Sequence, residues 1–209
     1  IRIACPECLI QHCSTSEVYG DVSEDDIPIS EHCPQRPVSP YAVSKTAQDH
    51  LAFAYFKSFG LRIIRTRMFT YFNPRREDLF STAFAKQVVC IEKGKQEILR
   101  HGNLDSVRTM VDVRDAMQAY WLTVVYCNEG DVYNIGGSKT ISVGKVLEIM
   151  VNLAKVPIKT EINSNLLRAK DVTLQVPDSS KFINCTGWNE EYTFDESLAH
   201  LLDYWRNRI

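Results

Sequence analysis

The run Leu9-Ile10-Gln11-His12-Cys13-Ser14-Thr15-Ser16-Glu17-Val18-Tyr19-Gly20 decides how this chain is read. Leu9 to Ser14 reads as a short buried strand. Ser14-Thr15-Ser16-Glu17-Val18-Tyr19-Gly20 falls at the strand's carboxyl end, where open α/β sheets place their ligands. A polar loop over residues 20–38 follows and closes on Arg36-Pro37-Val38. Ser39-Pro40 then starts a helix, with Ser39 as N-cap and proline at the first helical position, where its missing N–H costs nothing. The helix runs to about Phe59 and stops at Gly60. Near its start stands Tyr41-Ala42-Val43-Ser44-Lys45. A tyrosine and a lysine four apart share one helix face, so the ammonium can approach the phenol.

Outward from this centre, Leu61 to Phe69 has the β-branched content of a strand, and residues 79–93 form an amphipathic helix ended by Gly94. Residues 97–111 predict two short strands around His101-Gly102-Asn103. Asp112 opens a helix to about Cys127, Asp131 to Ile135 reads as a strand, and Ser142 starts another helix. A strand over 158–162 and a last helix from near Asp195 complete the pattern. Short strands alternating with longer helices favour an α/β fold over a sandwich or a bundle. No repeat or flexible linker divides the chain, so any two domains must interleave.

Composition narrows the function. Across 209 residues, 24 Lys and Arg stand against 26 Asp and Glu, a formal net charge of −2. A nucleic-acid binder needs a basic face; this balance leaves room only for a few arginines around a small anionic ligand. No apolar run approaches the ~18 residues of a membrane span. Ile1-Arg2-Ile3-Ala4-Cys5 lacks the zones of a secretion signal and an initiator Met, so the chain reads as starting inside a longer protein. The seven cysteines are irregularly spaced, which predicts reduced thiols and a cytoplasmic location. Cys5-Pro-Glu-Cys8 with His12, Cys13, His32 and Cys33 offers zinc ligands, but a structural site usually needs a second close pair. Pro6 reads instead as the break after a helix that precedes the first strand, and no metal is expected.

The chemistry concentrates in the two quoted stretches. A free phenol titrates near ~10, and a neighbouring cation favours the phenolate, so Tyr41 beside Lys45 suits acid–base work. A Thr15 hydroxyl can bond the same substrate oxygen, and Glu17, two residues on along a strand, would share a face with Thr15. A bare Y-x-x-x-K recurs in helices by chance; joined to the Thr-Ser-Glu-Val-Tyr-Gly stretch in this order it is far more specific.

Together the two stretches resemble the extended short-chain dehydrogenase/reductase family of nucleotide-sugar enzymes. Asn73-Pro74-Arg75-Arg76, Gly102-Asn103-Leu104-Asp105 with Arg108, and Leu167-Arg168-Ala169-Lys170-Asp171-Val172 narrow it to the GDP-mannose 4,6-dehydratases and the related GDP-4-keto-6-deoxymannose reductases. The resemblance covers nearly the whole chain. It implies Thr15, Glu17, Tyr41 and Lys45 as catalytic residues. Tyr41, Lys45, Tyr71 and Arg76 would meet NADP or NAD, Arg76 from a loop that reaches a neighbouring subunit. Ser16, Thr70, Arg108 and Arg168 would hold a GDP-sugar, the arginines clamping its diphosphate or nucleoside. Without the resemblance, Arg75 and Arg76 read as a solvated pair and Arg168 as an ordinary loop charge. No membrane or nucleic-acid partner is implied, and a homodimer or homotetramer is, with the Tyr41–Phe59 helix as a subunit surface.

The resemblance also predicts a division: residues 1–70 and 112–137 in a Rossmann-type parallel sheet, 71–111 and 138–209 in a smaller interleaved α/β substrate domain. Five departures stand out. None of the nine glycines gives G-x-G-x-x-G or G-x-x-G-x-x-G, the turn that lets backbone amides approach a pyrophosphate. The chain therefore reads as the carboxyl-terminal part of such an enzyme, its glycine-rich part absent or supplied by another chain. Thr70 and Tyr71 replace the family's Asn and the dehydratases' His, Ala169 replaces a proline, and Thr109-Met110 replaces an acidic–aromatic pair. The implied reaction is dehydration of GDP-mannose to its 4-keto-6-deoxy form. The sister reductase, a C4 epimerase and a non-catalytic sugar-nucleotide-binding or subunit-interaction module are the alternatives.

Overall fold

The computed structural model describes residues 1–167 and 174–209. The strands are β1 (Ile10–Thr15), β2 (Ile63–Met68), β3 (Tyr71–Phe72), β4 (Ile98–His101), β5 (Val107–Thr109), β6 (Val111–Asp112), β7 (Val132–Ile135), β8 (Thr140–Ser142), β9 (Lys159–Ile162) and β10 (Leu174–Gln175). The helices are α1 (Pro40–Phe59), α2 (Phe80–Glu92), α3 (Val113–Tyr126), α4 (Val143–Asn152), α5 (Ser180–Thr186) and α6 (Phe194–Arg206). The α/β reading is right, and the main sheet is parallel: β2 lies between β1 and β7, with Ile10 beside Ile63 and Met68 beside Ile135. Smaller pairings join β5 to β10 and β8, β3 to β6, and β4 to β9.

The caps form as the sequence predicts. Ser39 Oγ accepts the Ala42 N–H at 3.0 Å, Pro40 occupies the first turn of α1, and Gly60 ends the helix in the left-handed region. Gly20 ends the Thr-Ser-Glu-Val-Tyr-Gly stretch at a φ of 59°, where a Cβ would fall 1.7 Å from the Arg36 carbonyl oxygen; only glycine fits. Three apolar cores result among the described residues. Leu99, Met110, Val146, Leu198 and Leu202 centre the largest, among α2, α4 and α6. Ile64, Met68, Tyr133 and Ile135 fill the second against the parallel sheet, joined by Phe182 and Trp188 from the last quarter of the chain. Val18, Tyr19, Ile29 and Phe69 form the third beneath the end of β1.

Three expectations are corrected. Residues 1–9 form turns, not the helix expected before β1. Cys5 and Cys8 are joined in a disulfide, because those turns bring the two side chains together; Cys13, Cys33, Cys90, Cys127 and Cys185 are free thiols. Glu17 does not continue the strand: β1 ends at Thr15, whose Oγ1 accepts the Glu17 N–H at 3.3 Å and turns residues 16–18 into a 3-10 helix. Among the described residues, no three His, Cys, Asp or Glu side chains cluster as metal ligands, and no helix is long and apolar enough to cross a membrane.

Candidate active site

A cavity of about 540 Å³ opens where the carboxyl end of β1 and the start of α1 face the β4–β5 region. Thr15, Ser16 and Glu17 reach it from the strand end, Tyr41 and Lys45 from α1, and Thr70, Tyr71 and Arg76 from the segment after β2. Arg108 reaches it from β5. Every predicted site residue that the structure describes lines this one space. Arg168 lies outside the described residues.

The strand end is held from below by a buried charge network. Asp49, fully buried on α1, takes a bidentate pair from Arg67, Nε to Oδ2 at 3.0 Å and Nη2 to Oδ1 at 3.1 Å, and a third bond from Arg65 Nη1 at 3.0 Å. Arg67 Nη1 donates onward to Tyr19 Oη at 3.0 Å, and that hydroxyl donates to Asn134 Oδ1 on β7 at 2.7 Å. Burial opposes the charge on Asp49, yet the bonds and charge of Arg67, with the charge of Arg65, outweigh it and hold the carboxyl below its ordinary range. Tyr19 follows directly on residues 16–18, so the network fixes the turn that presents Glu17.

Tyr41 is half exposed at the mouth, one turn of α1 before Lys45. Lys45 Nζ donates to the Cys13 carbonyl oxygen at 2.8 Å and reaches Gln48 Oε1 at 3.5 Å. The lysine therefore bridges α1 to β1, where the sequence reading turned it toward the phenol. Tyr120 of α3 is a further wall residue; burial pushes its phenol well above the usual range, with Cys13 among its neighbours. Burial also raises the Cys13 thiol, against the opposing charge of Lys45.

The opposite wall is cationic. Arg100 and Arg108 line it with His101 and Asn103, and Arg76 and Lys45 add their charge to the same cavity, whose lining also holds the carboxylates of Glu17 and Asp78. Arg76 pairs with Asp78 through two bonds, both side chains at least half exposed, and lines the cavity of its own chain. Arg100 lies 3.7 Å from Glu161, an exposed pair of little strength. Such a wall suits an anion, whose oxygens accept from guanidinium N–H groups. The sequence reading missed Gln175. This side chain is buried on β10 and its Oε1 accepts from Ser16 Oγ at 3.2 Å and Arg108 Nη1 at 3.4 Å. The signal was a lone amide between Leu174 and Val176. Ser16, predicted as a substrate contact, spends its hydroxyl proton on that amide.

The family model described as GDP-mannose 4,6 dehydratase matches residues 1–201. GDP-6-deoxy-D-mannose reductase of Pseudomonas aeruginosa is 29% identical over 198 residues, across 94% of this chain and 65% of that protein. dTDP-glucose 4,6-dehydratase of Haemophilus influenzae is also 29% identical, across 93% of this chain and 60% of that protein. The chain thus spans less than two thirds of the length of either relative. The solved structure of RMD from Pseudomonas aeruginosa, complexed with NADPH, superposes with a TM-score of 0.89 at 26% identity, covering 95% of this chain and 67% of that one. With a family match across all but the last eight residues, this chain belongs to the GDP-mannose 4,6 dehydratase family.

Proposed function

We propose that this chain carries the catalytic strand end and the nucleotide-sugar wall of an NADP-dependent GDP-mannose 4,6-dehydratase. The observation that carries the reading is the presence of Glu17 in the same cavity as Thr15, Tyr41 and Lys45. A simple reductase or epimerase working at C4 needs an acid–base group for one oxygen; a dehydratase needs a second base for a carbon-bound proton. Tyr41 takes the proton from the hexose 4-hydroxyl, and Thr15 holds the same oxygen by a hydrogen bond. Glu17 takes the C5 proton, acidified by the adjacent ketone, and passes a proton to the departing 6-hydroxyl, which leaves as water; C5 regains a proton from solvent when hydride is delivered to C6. Arg108 and Arg168 hold the diphosphate or nucleoside.

The residues present fit only the nicotinamide end of the cofactor, since the glycine turn that approaches its pyrophosphate is not in this sequence. Lys45 is anchored at the mouth by the Cys13 carbonyl, beside Tyr41, Tyr71 and Arg76. These would hold the nicotinamide end, and the bound dinucleotide supplies reversible hydride transfer, so the reaction is neutral in reducing equivalents overall. Residues 1–70 and 112–137 would form the cofactor side and 71–111 and 138–209 the sugar side, with α5 returning to the sheet. The whole enzyme would work in the cytoplasm as a homodimer or homotetramer.

Mass spectrometry of GDP-mannose incubated with the protein and catalytic NADP tests the reading. Loss of one water without accumulation of NADPH is expected. Unchanged GDP-mannose in a preparation that binds both GDP and NADP would contradict it. A second reading, reduction of a 4-keto-6-deoxy sugar by NADPH, is supported by the likeness to the Pseudomonas reductase. Consumption of NADPH with that sugar, and no action on GDP-mannose, would select it.

A further inference from the structure

Gln175 occupies a position that packing alone does not explain. Its side chain is buried, with 3% of the residue exposed, yet it lines the cavity between the strand end and the cationic wall. Arginine donates and never accepts, so the amide oxygen must be the atom facing Arg108 Nη1, and the Ser16 hydroxyl donates to the same oxygen. The orientation of the amide is thereby fixed from two sides. What remains is Nε2, with two N–H donors and no acceptor among the described residues, on a residue that borders the cavity.

Placement says what kind of acceptor belongs there. One bond away is Ser16, flanked by Thr15 and Glu17, which face the hexose in the proposed reaction; one bond away on the other side is Arg108, assigned to the diphosphate. Gln175 and Arg108 are also register partners on the paired strands β10 and β5, so the two donors sit side by side. We propose that Gln175 is a ligand-binding residue whose amide nitrogen donates to an oxygen of the sugar-proximal phosphate of a nucleoside diphosphate. The inference rests on the reading that Arg108 holds that diphosphate. Because the amide is locked by Ser16 and Arg108, it offers its protons without first giving up a bond or a rotamer, and it discriminates acceptors from donors at the junction of phosphate and sugar.

Calorimetric titration of the protein with GDP and with GMP tests this. Gln175→Glu keeps an acceptor for Ser16 and Arg108 but replaces the N–H donors with a charged oxygen. It should weaken GDP by about a hundredfold, since a phosphate then meets a buried like charge. Gln175→Leu, which removes the donor without adding charge, should weaken GDP about tenfold and serves if the glutamate variant does not fold, as judged by circular dichroism. GMP, which lacks the second phosphate, should change by less than about threefold in either variant. Wild-type affinity for GDP in a folded variant would overturn the proposal, as would equal losses for GDP and GMP. Arg108→Ala separates this from the underlying reading: if the unaltered protein binds no GDP, or if Arg108→Ala binds it undiminished, the functional reading falls and the inference with it.

Discussion

The two walls of the cavity are held by different physics. Behind the strand end, Asp49, Arg65, Arg67, Tyr19 and Asn134 form a chain of directional bonds in which every member is buried. Behind the cationic wall lies an apolar core in which Leu99, Met110, Leu198 and Leu202 meet among α2, α4 and α6. An apolar core tolerates small shifts, because its energy scales with area and not with angle. A charge network does not: it fixes where Tyr19, and so the Glu17 turn, must lie. The wall proposed to do proton chemistry is the one pinned by geometry, and the wall proposed to grip the ligand is the one built on area.

Breaking the charged wall should have the largest effect. Asp49→Asn leaves two buried guanidinium groups without their counter-charge and should cost about 3–5 kcal/mol, read from urea unfolding. A loss under about 1 kcal/mol would mean the network is not the wall's support. The pH dependence has a definite sign. The folded-state carboxyl titrates below its unfolded value of 3.8, so its contribution is fully present above that value and disappears as pH falls through the lower, folded one. The stability gap between wild type and Asp49→Asn should therefore be constant from neutrality to about pH 5 and narrow only in stronger acid.

The apolar wall should break more gently. Leu202→Ala, at a fully buried position, should cost about 2–5 kcal/mol with GDP affinity reduced more than the positioning of Glu17. Tyr19→Phe sharpens the comparison, since it removes only the hydroxyl joining Arg67 to Asn134. It should cost about 1–3 kcal/mol and lower kcat more than it raises KM, where a purely structural tyrosine would leave the surviving folded enzyme's kcat intact. Thr193→Ala, which removes the capping box of α6, should cost about 0.5–2 kcal/mol. Arg76→Ala at the exposed Asp78 pair should change stability by less than about 1 kcal/mol, so any loss of NADP affinity there reports binding and not folding.

Much of this arrangement is legible in the sequence, and the limits follow from range. The caps of α1 were readable because Ser39, Pro40 and Gly60 act within one turn of their own position. The parallel strands β1, β2 and β7 were readable from short apolar runs, although β2 carries Arg65 and Arg67, whose counter-charge Asp49 lies on a preceding helix. The two-residue strands are not readable as elements, since β3 exists because Val111 and Asp112 lie beside it, and β10 because Val107 and Arg108 do. Helix α5 is seven residues long with no side-chain cap bond, and its place is set by Phe182 packing on Tyr133 and Trp188. The site residues on the strand end and α1 were named from motif spacing. Gln175 was not, because its meaning depends on Ser16, 159 residues away.

The central claim, that Glu17 and Tyr41 act on one sugar from one cavity, is tested most directly by running the reaction on GDP-mannose in deuterium oxide with catalytic NADP. The account predicts a 4-keto-6-deoxy product carrying one solvent deuteron at C5, and no such product from Glu17→Gln or Tyr41→Phe. A dehydrated product free of solvent deuterium, or one still formed and labelled by Glu17→Gln, would contradict it.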